Sequence, residues 1–313
     1  SVGAFKGCTS LKSVTLPESL TKIGSYAFFG NTALTEIIIP GKVTDISTYA
    51  FADCANLKKV KITDVIRVRS YAFGSCRSLS DLDLGSSLQS VNDYAFNNCS
   101  KLTSLNFPAS LDDISALAFS GCFGLKGIFV ENGGKYFADG KALYRSTPES
   151  TLVMLADKSA ASYSLKDDTK AIAADAFKDC KSLTDINVPG SVLSVKAGAL
   201  DDTPWITSKR GNVYVGKVFY KADNGSTVVN VENGTIAIAE RAFKDSRVNT
   251  VNLPSTLKYI GKEAFFNTRI SELVIPSGVV YMGDMCVANS NVLTKITLPS
   301  SLKSLGKGAF YKC

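Results

Sequence analysis

The sequence contains no histidine. That single absence removes the commonest general base, the histidine-dependent nucleophilic triads and the usual imidazole metal ligands together. No run of 18 apolar residues occurs among the 313, so no helical membrane span is expected. The chain opens on Ser1 without a charged and apolar leader, which leaves no intact signal peptide in view. Long runs of one charge are missing too. The net charge of +7 is dispersed, with Lys58, Lys59 and Lys61 the densest group and Arg67 and Arg69 next. A chain without a basic tail or stripe gives little footing for nucleic acid. No Cys-x-x-Cys pair is present, and without histidine a zinc site is not expected.

What the chain does have is repetition. The Ala-Phe pair recurs at Ala4-Phe5, Ala27-Phe28, Ala50-Phe51, Ala72-Phe73, Ala95-Phe96, Ala118-Phe119, Ala176-Phe177, Ala242-Phe243, Ala264-Phe265 and Ala309-Phe310. Two weaker members, Ala199-Leu200 and Cys286-Val287, complete a set of twelve. Adjacent members lie 22 or 23 residues apart except across two longer gaps, and a fixed period of this size marks a solenoid. Both termini fall in the same phase of the repeat, at Ala4-Phe5 and Ala309-Phe310, so an export signal and an anchor are expected to lie outside this segment.

Each pair is followed by an L-x-x-I-x-I pattern that usually ends in proline, as in Leu34-x-x-Ile37-x-Ile39-Pro40 and Leu102-x-x-Leu105-x-Phe107-Pro108. Alternation with period two predicts a short strand with one face buried. Proline then ends it, because it has no N–H to donate. A second apolar pair follows on the other side of the coil: Val43 and Ile46, Leu88 and Val91, Leu257 and Ile260. One coil cannot bury these side chains alone, whereas stacked coils place Phe on Phe and Leu on Leu in one continuous core. The fold expected is mainly β, a right-handed solenoid of about 12 coils with short parallel strands.

Two inserts interrupt the period. Phe119 and Phe177 are 58 residues apart, and Leu200 and Phe243 are 43 apart. Both gaps read as β-hairpins, the first turning at Asp139-Gly140 and the second around Gly216. The organisation is therefore one solenoid domain over 1–313, with repeats at 1–128, an insert at 129–162, repeats at 163–202, a second insert at 203–228 and a last block at 229–313.

The strand pattern L-x-x-I-x-I-P followed by V-x-x-I-x-x-x-A-F-x-x-C resembles the BspA-like leucine-rich-repeat family of bacterial and protist surface proteins, over essentially the whole chain. Both inserts are also similar to hairpins found in that family. The resemblance implies a secreted or surface-anchored protein, with adhesion to host matrix proteins or other cells. It brings no active-site motif with it.

Seven of the eight cysteines, Cys8, Cys54, Cys76, Cys99, Cys122, Cys180 and Cys313, stand three residues after the repeat Phe. In the other coils that slot holds Asn31, Thr203, Ser246, Thr268 and Ser290. Interchange of Cys with Asn, Ser and Thr favours a semi-buried side chain that satisfies backbone groups at the turn, over disulfides or a metal site. The paired acids Asp112-Asp113, Asp167-Asp168 and Asp201-Asp202 sit in turn contexts, and consecutive residues of a strand point to opposite faces, so they are not expected to converge on a substrate. An enzyme is not expected, and no cofactor or metal is implied.

Two surfaces remain for recognition. The outward positions of the first strands, among them Ile38, Lys59, Lys61, Asp81, Asp83, Asn106 and Phe129, are expected to form a polar, mixed concave face. Lys59 and Lys61 lie one coil from Asp81 and Asp83, which cross-strand pairing explains without a ligand. The inserts concentrate aromatic residues: Phe129, Tyr136, Tyr144, Trp205, Tyr214 and Tyr220. These rings form either a contact surface, since Trp and Tyr are favoured in interface hot spots, or the hairpins' own small core, which is the preferred reading. Protein partners such as host extracellular-matrix or cell-surface proteins are expected for a monomeric chain. A polysaccharide-binding module and a passive spacer within a larger surface protein are the alternatives.

Overall fold

The computed structural model describes residues 1–223 and 225–313. It is built almost wholly from short strands, with a single-turn helix at Pro204–Thr207 among the described residues. Two compact units are distinguished. The first comprises Ser1–Ala161, Asp175–Thr184 and Leu200–Pro204, and the second Ser162–Ala174, Asp185–Ala199 and Trp205–Cys313.

From Glu36 onward most coils contribute two strands, as the two apolar patterns predict, while the preceding coil has only an isolated bridge at Ile23. In the first unit the longer strands Glu36–Ile39, Lys59–Ile62 and Asp81–Asp83 pair in parallel, as do Ser104–Phe107 and Gly127–Val130. The shorter strands Asp45–Ile46, Arg67–Val68, Ser90–Val91 and Asp113–Ile114 form a second parallel ladder. Between the two runs a proline opens the turn in the coils of Glu36–Ile39 and Ser104–Phe107. Its carbonyl accepts the N–H three residues on, Val43 from Pro40 and Leu111 from Pro108, so the residue that ends the strand also closes the corner. The second unit repeats the arrangement, with Glu272–Val274 on Lys295–Thr297 and with Ala237–Ile238, Tyr259–Ile260, Tyr281–Met282 and Ser304–Leu305 in parallel.

The core consists of in-register columns. Phe28, Phe51, Phe73, Phe96 and Phe119 stack with ring centroids 5.0–5.2 Å apart and planes within 4° of parallel. In the second unit Phe219, Phe243 and Phe265 also stack, at 4.6 and 4.8 Å, with planes 4° and 20° from parallel. Phe219 belongs to the second insert, so that hairpin supplies a ring in place of the missing repeat.

In several coils the cysteine slot bonds backbone as its substitutions suggest, whereas Asn31 Nδ2 and Ser246 Oγ in the same slot are buried without a partner among the described residues. Sγ of Cys54, Cys76, Cys99 and Cys122 donates to the carbonyl of Phe28, Phe51, Phe73 and Phe96 respectively, each in the preceding coil, at 3.1–3.2 Å. Ser290 donates to Phe265 O at 3.1 Å in the same way. A buried carbonyl needs a donor, and a small thiol or hydroxyl is enough. All eight cysteines are free, and only Cys8 and Cys313 are exposed.

Both inserts form hairpins. Tyr136–Ala138 pairs antiparallel with Ala142–Arg145, which pairs antiparallel with Thr151–Leu155. Asp139 Oδ1 caps the first turn by accepting from the N–H groups of Lys141 and Ala142, while Gly140 takes a φ of 92°. In the second insert Val213–Val215 and Val218–Lys221 are joined through Gly216, whose φ is 57°.

Backbone of the coil beneath crowds Gly261, the residue that follows the strand Tyr259–Ile260. A Cβ on Gly261 would stand 2.7 Å from Glu240 N and 2.8 Å from Ala239 C, both backbone atoms of the coil beneath. Gly261 N also donates to Ile238 O at 2.9 Å, so the contact cannot open without loss. Gly261→Ala is therefore expected to cost about 1–3 kcal/mol through overpacking. A urea-unfolding midpoint equal to that of the unsubstituted chain would show that the coils have slack.

Candidate binding surfaces

The strand ladders of the first unit fix a solvent-facing set of side chains. Register pairs Glu36 with Lys59 and Lys59 with Asp81 in one row, and Ile38 with Lys61 and Lys61 with Asp83 in the next. Asn106 pairs with Phe129 beyond. All of these except the inward residues between them are exposed. Lys59 Nζ meets Asp81 Oδ2 at 3.1 Å, as cross-strand pairing predicted, and Asp83 Oδ1 accepts from Gly85 N. An exposed pair of this kind contributes at most about 1 kcal/mol, so its main effect is to hold two side chains in place. Two apolar members of the face are open to solvent: Ile38 is 61 % and Phe129 54 % exposed.

The second unit carries a comparable face. Glu272 and Lys295 approach to 3.8 Å, Asn252 donates to Asn230 Oδ1 at 2.6 Å, and Val228 and Val274 are exposed.

The aromatic residues of the inserts divide. Tyr136, Tyr144 and Tyr220 are buried, which takes them out of any contact surface and gives them to the hairpin cores. The cause is packing on the solenoid: Tyr136 and Leu143 join the hydrophobic core of the first unit, together with Val153 and Met154 of the next strand. Phe137 stacks on Tyr144 at 5.2 Å. Burial pushes the Tyr136 hydroxyl above the ordinary phenol range. Trp205 and Tyr214 are half-buried, with Lys209 Nζ 4.2 Å from the Trp205 ring and the Tyr214 hydroxyl accepting from Glu232 N. Of the insert aromatics singled out from the sequence, only Phe129 is well exposed, and it stands on the strand face rather than in a hairpin.

The paired acids do not form a shared site. Asp112 is engaged by Lys135, and Asp113 begins the strand Asp113–Ile114. Asp202 bonds Lys178, and that hydrogen bond holds its carboxyl below the ordinary range despite partial burial. Among the described residues no three Cys, Asp or Glu side chains cluster closely enough to hold a metal ion, and no helix is long and apolar enough to cross a membrane.

A second surface emerges that the strand pattern does not announce. Tyr26, Tyr49, Tyr71 and Tyr94, each directly before the Ala-Phe pair of its coil, stack with centroids 5.0, 4.9 and 5.0 Å apart. All four are half-buried, and all have left-handed backbone, with φ of 58–61°. Glycine occupies the equivalent turn at Gly3, Gly198 and Gly308. Left-handed backbone costs a non-glycine residue about 1–2 kcal/mol, and an aromatic pair returns about 0.5–1.5 kcal/mol. The two nearly cancel, so the column is not explained by ring stacking alone. Its signal in the sequence was the tripeptide Tyr-Ala-Phe in four consecutive coils.

Residues 1–126, 154–210 and 214–313 match the model of the BspA type leucine-rich repeat region, in six copies. The chain belongs to the BspA-type leucine-rich-repeat family. No curated protein matches it. Among solved structures, a leucine-rich repeat protein from Bacteroides ovatus is similar at 22 % identity, over 97 % of this chain and 85 % of that one, with a TM-score of 0.48. A leucine-rich repeat protein from Eubacterium ventriosum is 20 % identical over 93 % of this chain and 80 % of its own, with a TM-score of 0.47. A leucine rich cell surface protein from Faecalibacterium prausnitzii is 21 % identical over 96 % and 76 %, at 0.44. For a BspA-type coil the Phe column, the thiol slot and the proline corner are structural parts.

Proposed function

We propose that this chain is a non-enzymatic binding module of the cell surface or of a secreted protein, which engages protein partners through the strand face of its first unit. The observation that carries the reading is the pair of exposed apolar residues, Ile38 and Phe129, on a face whose other members are charged or amide side chains fixed by the ladder. Interfaces draw their energy from a few large side chains surrounded by polar ones that exclude water, and a rigid sheet lowers the entropy lost on docking. The surface location rests on the family resemblance. Adhesion to host matrix proteins or to other cells is the role it suits.

The test is surface-plasmon binding of the chain to a panel of purified extracellular-matrix proteins, together with pull-down from bacterial envelope fractions. Binding to at least one matrix or envelope protein is expected. The double variant Ile38→Ser, Phe129→Ser should weaken it by about tenfold or more, the size of one lost hot spot. Absence of binding to every partner tested would remove the adhesive role, and full binding by the double variant would remove this face from it.

A further inference from the structure

The tyrosine column is a surface with unused chemistry. None of the hydroxyls of Tyr26, Tyr49, Tyr71 and Tyr94 is hydrogen-bonded to a described residue. The rings cover one another's faces, and Lys6 Nζ lies 5.3 Å from the Tyr26 ring centroid at the end of the column. What the column shows to solvent is ring edges and phenol groups, repeated once per coil. Ring edges carry the positive end of the aromatic quadrupole, and a phenol both donates and accepts. The ligand that fits is one dense in hydroxyl and ether oxygens along an extended axis.

Period narrows the class further. An extended peptide presents side chains to one face every two residues, about 6.6 Å, so against a 5 Å column it falls out of step by about one full spacing at the fourth tyrosine. A 1,4-linked pyranose chain advances by one ring and one bridging oxygen per sugar, a length comparable with one coil. The residue before each tyrosine, Ser25, Thr48, Ser70 and Asp93, adds a polar side chain at the same period. We propose that Tyr26, Tyr49, Tyr71 and Tyr94 form a binding ridge for an extended, neutral 1,4-linked glycan, one sugar to each coil. The ridge and the strand face use different residues, so each reading stands or falls without the other.

Titration calorimetry of the full chain with cellohexaose and chitohexaose tests the ridge, with cellobiose as the short comparator and the 1,3-linked laminarihexaose as the comparator of different period. The 1,4-linked hexamers are expected to bind about tenfold or more tighter than cellobiose, since several coils act together. Tyr49→Gly with Tyr71→Gly should lower that affinity by about tenfold while the turn keeps its shape, because glycine holds this position in other coils. Tyr49→Phe with Tyr71→Phe retains the stack and removes only the hydroxyls, and it should weaken binding as well. Failure of both 1,4-linked hexamers to bind would overturn the proposal. So would equal affinity for laminarihexaose, or unchanged affinity in the phenylalanine pair.

Discussion

Phe96→Ala is expected to destabilise the chain by about 3–5 kcal/mol, the range for truncating a fully buried aromatic ring. Phe96 has no solvent exposure and stands between Phe73 and Phe119, 5.2 Å from each ring. Both neighbours are themselves buried, so nothing nearby is free to collapse into the cavity. In a solenoid the damage is also not local. Each coil is stabilised mainly by the two it touches, and losing a ring weakens both interfaces at once. Phe5 supplies the internal control, because its ring stacks on Phe28 at 5.0 Å but is 41 % exposed. The same substitution there should cost less than half as much. Urea unfolding followed by circular dichroism measures both, and a Phe96→Ala midpoint matching the unsubstituted chain would show that the column does not carry the core.

That contrast indicates which parts of the molecule are legible in the sequence. The Phe column, the alternating strands and the proline corners are enforced by period, since any residue that recurs every 22 or 23 positions occupies one place in a stacked coil. The outward row from Ile38 to Phe129 was readable for the same reason, as alternation alone decides which face Ile38, Lys61 and Asp83 take. The cysteine slot was readable because its substitutes, Asn31, Thr203 and Ser290, share hydrogen-bonding ability rather than thiol chemistry. Where the period stops, so does legibility. Tyr136 and Tyr144 are aromatic residues in a hairpin, and nothing local says that the hairpin packs into the core of the solenoid, as Tyr136 and Leu143 do. The tyrosine column was missed for the opposite reason. It lies within the repeat, but a tyrosine beside a core Phe reads as part of the core unless the left-handed turn that separates the two is known.

The thiols give the second large effect. In native conditions near pH 8, only Cys8 and Cys313 are expected to react promptly with a disulfide reagent, and in denaturant without reductant all eight should. Access is one reason, since the other six side chains are buried. Ionisation is the other. Burial pushes Cys54 and Cys286 up to about 12 and Cys180 to about 11, and Cys76 and Cys99 well above the ordinary range. At a value near 12, roughly one thiol in ten thousand is thiolate at pH 8, and only the thiolate attacks. The folded-state values are raised, so the neutral thiol is the form the fold favours. Stability from these groups is present below the unfolded thiol range and is not reinforced as pH rises; above that range the unfolded chain ionises first, and the fold weakens as alkaline conditions are reached. Four or more fast-reacting thiols in the native chain would show that the column of Sγ-to-carbonyl bonds at 3.1–3.2 Å opens readily. Two or fewer thiols titrating after denaturation would mean that adjacent coils are joined by disulfides, and that the carbonyls of Phe28, Phe51, Phe73 and Phe96 must find their donors elsewhere.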